Sequence, residues 1–272
     1  MSGTTGKCCR DMIGALLCST VMIANAPAWA QVRLDSQMAN LADDLVVANR
    51  ILYSQGVVDG FGHISARSPT DPGHFFMARS VAPSSVTQAD IMEFDADGKP
   101  LAGDTRLPYA ERFIHSEIYK ARSDVMAVVH AHAPSVIGFG ITGVPLRPVY
   151  HMSGFLGKTV PVFEMRDAMA GHPDTDLLVK SPVLGARLAE KLGRNTVVLM
   201  RGHGFTAVAP SVPVAVFRAV YADQNARIQG DALKLGTPKY LSDQEAALTQ
   251  QTMEGLSMRS WEMWKKQAGL AP

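Results

Sequence analysis

The sequence predicts an α/β domain in which helices sandwich a mixed, largely antiparallel sheet. Three observations carry this. Apolar stretches at helical spacing alternate irregularly with short strands. Several strands follow one another across tight turns, as antiparallel neighbours do. No regular strand–helix–strand series, the mark of a doubly wound parallel sheet, runs through the chain. A glycine-rich stretch, GVVDGFGH (56–63), is not followed by the helix that a dinucleotide-binding turn requires.

The elements follow in order. Leu41, Leu45, Val46 and Ile51 define a helix over about 38–54, stopped by Gly56. FGHISAR (61–67) and HFFMARS (74–80) are strands around a Pro/Gly turn at 70–73. IMEFDADGKPL (91–101) is a hairpin turning at Asp97-Gly98. Pro108 opens a helix whose apolar face is Phe113, Ile114, Ile118 and Ala121, with Glu111 and His115 one turn apart on a neighbouring face. Ser123-Asp124 ends it, and VMAVVHAH (125–132) is a strand. Ser181 as cap and Pro182 at the first position start a helix that ends near Gly193. NTVVLM (195–200) is a buried strand, RGHG (201–204) a turn and FTAVA (205–209) another strand. Ser211 caps a long helix to about Leu235, and a last helix runs from Ser242 towards Lys266 with Trp261 and Trp264 on it.

Residues 1–30 read as a secretory signal peptide, cleaved after Ala30. Lys7 and Arg10 make a positive start, residues 12–26 a short apolar run, and Ala28-Trp29-Ala30 a small-x-small site. The run is shorter than the roughly 20 residues of a membrane span. The expected mature protein, residues 31–272, is a single soluble domain, secreted or periplasmic, with no membrane association. All three cysteines (Cys8, Cys9, Cys18) fall in the leader. The mature chain therefore uses neither disulfides, nor thiolate ligands, nor a cysteine nucleophile. The chain has 26 basic and 25 acidic residues. The leader removes Lys7, Arg10 and Asp11 and leaves the two signs balanced, which argues against nucleic acid or an anionic surface as partner.

The chemistry concentrates in three places. His130 and His132, at i and i+2 of a strand, share one face and could hold one cation against a rigid backbone. His203 stands between two glycines on a tight turn, with little steric cover. Three histidines leave an open position for water or substrate. Each also has a plainer reading, since a histidine in a turn is usually a polar loop residue and spacing does not bring His203 to the pair. Glu111 is either a solvated helix carboxylate or a general acid/base.

Taken together these motifs resemble the class II aldolase/adducin family. The order is Glu111-x-x-x-His115, then Arg122-x-Asp124-x-x-Ala-Val-Val-His130-Ala-His132, then Arg201-Gly-His203-Gly204. GFGHISAR matches the family's G-N-x-S-x-R strand except for its asparagine. The resemblance implies an α/β/α sandwich, usually a homotetramer with sites at subunit interfaces. It implies one divalent ion per subunit, manganese or zinc, on His130, His132 and His203, with Glu111 as acid/base. Cleaving a carbon–carbon bond beside a carbonyl leaves an enolate, which a cation stabilises and a carboxylate can protonate.

The departures bear on substrate. Two phosphate-binding serines of the family's sugar-phosphate enzymes are Tyr109 and Ala110 here, and the asparagine is His63. VDGFGHISAR (58–67) with PYAERFIHSE (108–117) more closely resembles the branch that decarboxylates hydroxylated aromatic acids. The activity this likeness implies is a metal-dependent carbon–carbon lyase, decarboxylating a small non-phosphorylated hydroxy or keto acid of aromatic type. The alternatives are an aldolase or epimerase of a sugar derivative, and a non-catalytic adducin-like interaction module. Candidate substrate contacts are His63 and Ser65 on one strand face, Arg79 and Ser80 at a strand end, and Tyr109. Trp261 and Trp264 either meet a neighbouring subunit or pack in the core.

Overall fold

The computed structural model describes residues 28–101, 103–169 and 175–270. The leader up to residue 27, with its three cysteines, and His172 lie outside the described residues. Seven strands form one sheet in the order β3-β2-β1-β4-β7-β6-β5. They are β1 (His63–Arg67), β2 (Phe75–Ala78), β3 (Ile91–Phe94), β4 (Ala127–Ala131), β5 (Val162–Phe163), β6 (Val197–Met200) and β7 (Gly204–Ala209). Every pairing is antiparallel except the short edge pair β5 and β6. The predicted sandwich with a mixed, mainly antiparallel sheet is the observed fold.

Period-2 alternation sorts the strands' side chains onto two faces. On one face Ile64, Val129, Ala131, Leu199, Phe205 and Ala207 pack against helices α1 (Ala28–Ser54), α6 (Val212–Leu235) and α8 (Ser257–Gln267). On the other, Phe75, Met77, Val128, Val198 and Val208 pack against α2 (Arg112–Ala121) and α5 (Pro182–Leu192). The even-numbered His130 falls on the α2 face. Register then places His63 of β1 and Thr206 of β7 on either side of it, in one row across the sheet.

Several expectations are corrected. Helix α2 begins at Arg112, with Glu111 as its N-cap, and not at Pro108. Pro108 instead bridges Arg79, the Ser80 N–H donates to the Leu107 carbonyl (2.8 Å), and the Tyr109 hydroxyl donates to the Val81 carbonyl. These bonds hold the segment against the end of β2 in extended form. The last helix is two, α7 (Asp243–Gly255) and α8, which meet at the non-helical Leu256 after a weak helix former, Gly255. Trp261 and Trp264 are buried in this chain's own core beside α6, Trp264 lying 5.7 Å from the Tyr221 ring. They are core residues, not an interface. The hairpin turn at Gly98 is present (φ 74°), but its second arm is a single bridge from Phe94 to Pro100, which has no N–H to extend the ladder. Sequence reading also missed α3 (Pro134–Ile141), a 3-10 stretch at His151–Leu156, β5 and α4 (Met165–Ala168). No helix among the described residues is long and apolar enough to cross a membrane.

Candidate metal centre

His130 and His132 project from β4 and its end, and His203 from the turn between β6 and β7. Two glycines set that turn. Gly202 has φ 66°, a conformation L side chains avoid. At Gly204 a Cβ would come within 2.2 Å of the Ala131 carbonyl oxygen, so only glycine lets β7 approach β4 this closely. The three Nε2 atoms converge: His130 to His132 is 2.9 Å, His132 to His203 2.9 Å and His130 to His203 3.2 Å. Nitrogens about 2.0–2.1 Å from one tetrahedral cation stand about 3.3 Å apart, close to this spacing.

The opposite ring edges show which nitrogens carry protons. Nδ1 of His130 faces the Phe205 carbonyl at 3.1 Å, and Nδ1 of His203 faces the Leu177 carbonyl at 2.7 Å. A carbonyl only accepts, so both Nδ1 atoms donate and both neutral rings turn bare Nε2 lone pairs inwards. Lone pairs gathered at about 3 Å repel unless a cation lies among them, so the donor set fits a divalent metal. The three histidines and the Glu111 carboxylate form one cluster in which each candidate donor atom lies within 4.8 Å of the others.

Glu111 Oε2 lies 3.5 Å from His130 Nε2 and 3.4 Å from His203 Nε2. Its Oε1 accepts from the Val179 backbone N–H at 2.9 Å. Burial pushes this carboxyl up, whereas positive charge at the facing imidazoles, or on a cation held among them, pulls it well below the usual carboxylate range. Burial, reinforced by the neighbouring rings, pushes His132 down to about 3. Segment 177–179 was not foreseen from sequence. Leu177 adopts φ 63°, rare for a bulky residue, and so aims its carbonyl at His203 while Val179 reaches Glu111.

The structure also places the candidate substrate residues. The His63 ring lies 5.2 Å from that of His130 and 4.6 Å from that of Tyr109, so His63 adjoins the cluster and Tyr109 packs against His63. Ser65 is one layer behind: it is fully buried, and its hydroxyl bonds His115 (2.6 Å) and Tyr119 (2.7 Å), away from the cluster. Arg79 is half-exposed and spends its Nε on Asp90 (2.6 Å). Ser80 follows it beside Leu107, so both flank the Tyr109 segment. His115, given no role from sequence, is fully buried between His63 and Ser65, and burial pushes it down to about 3. His74 pairs with Glu93 on the surface. A surface hollow of about 650 Å³ between β5 and α5 shares no residue with the cluster.

A buried carboxylate facing three convergent imidazoles, at the ends of interior strands of the sheet, is a donor set that could hold one metal ion. Comparison with known proteins gives the family. Residues 43–230 match the Class II Aldolase and Adducin N-terminal domain family, and the chain belongs to that family. Decarboxylase tropJ of Talaromyces stipitatus is 40% identical over 238 residues, covering 80% of this chain and 90% of that protein. The 3,4-dihydroxyphthalate decarboxylase of Arthrobacter keyseri is 34% identical over 197 residues, covering 68% and 75%. Among solved structures, L-fuculose 1-phosphate aldolase from Glaciozyma antarctica superposes with TM-score 0.71 at 21% identity, covering 90% of this chain and 95% of that one. An aldolase II superfamily protein from Pseudomonas syringae gives 0.70 at 23%, covering 88% and 96%. The structures share the fold, and the named relatives agree with an enzyme of the lyase class.

Proposed function

We propose that the chain is a divalent-metal-dependent decarboxylase of a small, non-phosphorylated hydroxy or keto aromatic acid, with manganese or zinc, one ion per subunit, on His130, His132 and His203. The observation that carries this reading is the His63 ring packed against His130, with the Tyr109 ring packed against His63 in turn, where phosphate-binding groups are expected in sugar-phosphate enzymes of the family. Flat apolar faces suit an aromatic ring and offer little to a phosphate. The relatives named decarboxylases support it, 3,4-dihydroxyphthalate being the substrate in one of those names.

A bound cation would supply Lewis-acid stabilisation of charge developing on a substrate oxygen. The chain's own residues do the rest. Glu111 is held ionised, its Oε1 fixed by Val179, so Oε2 is the atom that takes a hydroxyl proton from the substrate. The carbon–carboxylate bond then breaks, its electron pair stays on the substrate, carbon dioxide leaves, and Oε2 returns the proton to that carbon. The non-catalytic adducin-like reading is disfavoured by the intact cluster.

The test is a decarboxylation screen that starts with 3,4-dihydroxyphthalate and follows carbon dioxide, alongside metal analysis. His203→Ala should lose metal and turnover together. Glu111→Gln should keep the metal and lose about 10²–10⁴-fold in kcat. Aldehyde release without carbon dioxide would instead support an aldolase, and full activity in Glu111→Gln would sink the acid/base role.

We also propose a homo-oligomer, expected to be a tetramer, and an exported mature chain starting at Gln31. Exposed Phe61 and Leu107, each two residues from a ring of the pocket, suit a second copy at the site's mouth. Light scattering tests the first point. N-terminal analysis of protein recovered from the periplasm or medium tests the second, an intact Met1 there counting against cleavage.

A further inference from the structure

A continuous line of buried hydrogen bonds runs from the metal site into the core: His63 Nδ1 to His115 Nε2 at 2.8 Å, His115 Nδ1 to Ser65 Oγ at 2.6 Å, and Ser65 Oγ to Tyr119 Oη at 2.7 Å. All four side chains are buried. Each link needs one proton, donated from one side and accepted on the other. With neutral rings two orders run one way along the whole line; a third, in which Ser65 accepts from both neighbours, leaves the buried Ser65 proton without a partner among the described residues. In the first, Tyr119 donates to Ser65, Ser65 to His115 Nδ1, and His115 Nε2–H to His63 Nδ1, which leaves the His63 proton on Nε2. In the second every bond is reversed, and the Tyr119 proton must find another acceptor.

Among the described residues Tyr119 Oη has no partner but Ser65. Its neighbour Arg67, whose guanidinium lies over the ring at 4.7 Å, has no lone pair to offer. The reversed order therefore strands a buried phenol proton, at a cost of about 1–3 kcal/mol. Nε2 of His63 has no partner among the described residues, and the His63 ring lies 5.2 Å from that of His130, so this ring is the end of the line nearest the cluster.

We infer that Tyr119, Ser65 and His115 act as positioning residues that fix His63 as the Nε2–H tautomer, making it a hydrogen-bond donor towards substrate. The ligand group it recognises is an oxygen that accepts, such as a carboxylate or phenolate, and not a hydroxyl that must donate. That last clause rests on the decarboxylase reading, whereas the proton positions do not.

Joint neutron and X-ray crystallography of perdeuterated, zinc-loaded protein tests the order directly. Deuterium is expected on Nε2 of His63 and of His115, with the Ser65 deuteron aimed at His115. Deuterium on Nδ1 of His63 overturns the proposal, whatever the decarboxylase screen returns. In solution, ¹⁵N spectra of histidine-labelled protein report the same tautomer. Ser65→Ala leaves one atom of His115 unpartnered in either order, so a mixture of His63 tautomers is expected, with the single form kept in Ser65→Thr. A merely structural serine would leave the tautomer unmoved, and an unchanged single form in Ser65→Ala would overturn the positioning role.

Discussion

Gly204→Ala places one methyl group between His132 and His203, two of the proposed metal ligands. The Cβ would stand 2.2 Å from the Ala131 carbonyl oxygen and 3.1 Å from Cδ2 of His132, whereas ordinary contact begins at 3.4 Å. Strands β4 and β7 must then part by about 1.2 Å at the point where Ala131 pairs with Phe205. His132 follows Ala131 directly, and His203 precedes Gly204 directly. The parting therefore opens the 2.9 Å spacing of their Nε2 atoms. Metal–ligand distances tolerate only about ±0.2 Å, so a loss of metal affinity of about 10–100-fold is expected, as for other disturbed ligand supports. Overpacking adds about 1–3 kcal/mol of destabilisation. The assay is zinc competition against a chromogenic chelator, with thermal unfolding alongside. Gly230→Ala on α6 is the control: its Cβ meets nothing within 4 Å, so the same methyl should leave affinity unchanged. A folded Gly204→Ala protein that binds zinc as tightly as the parent would refute the claim that this contact sets the ligand spacing.

Two further substitutions probe what holds the centre. Leu177→Pro forces φ near −65° where the structure has 63°, turning the carbonyl away from His203; zinc affinity measured by the same competition should fall about 10–100-fold, while Leu177→Gly, which tolerates the native φ, should lose far less. Arg218→Ala removes the partner of Glu254, a two-pronged ion pair at 2.7 and 2.9 Å on the opposite face of the sheet. It should cost about 3–5 kcal/mol in denaturant unfolding without changing metal content.

What could be read in advance was set by side-chain periodicity. His130 and His132 announce a shared face by their spacing in a strand, and RGHG announces a turn. The helix caps Ser181 and Ser211 start helices where expected, each accepting from the backbone N–H three residues on. What could not be read depends on backbone groups and long-range register. The Leu177 carbonyl and the Val179 N–H orient His203 and Glu111, yet any residue has such groups. Pro108 looks like a helix start because proline suits that position, but pairing with Arg79, remote in sequence, overrides the local preference. His115 stands one helical turn from Glu111, which was visible; its bonds to His63 and Ser65, about fifty residues away, were not.

Two of the three residues at which this chain departs from the sugar-phosphate pattern, His63 and Tyr109, are 46 positions apart yet meet in space, their rings lying 4.6 Å apart and tilted by 43°. They should therefore act as one unit. Aromatic pairs contribute about 0.5–1.5 kcal/mol beyond their buried area, and residues in contact show coupling of about 0.5–3 kcal/mol. His63→Asn strands the His115 proton donor, and Tyr109→Ser frees the Val81 carbonyl and exposes the His63 ring. After either single change the remaining ring has already lost its partner, so the second change costs less than it does in the parent. A double-mutant cycle read by unfolding, and by KM for whichever acid the screen identifies, should be sub-additive by about 0.5–1.5 kcal/mol. Strict additivity in both readouts would mean that the rings merely adjoin, and that the loss of the asparagine and the loss of the serines are independent events in the shaping of this pocket.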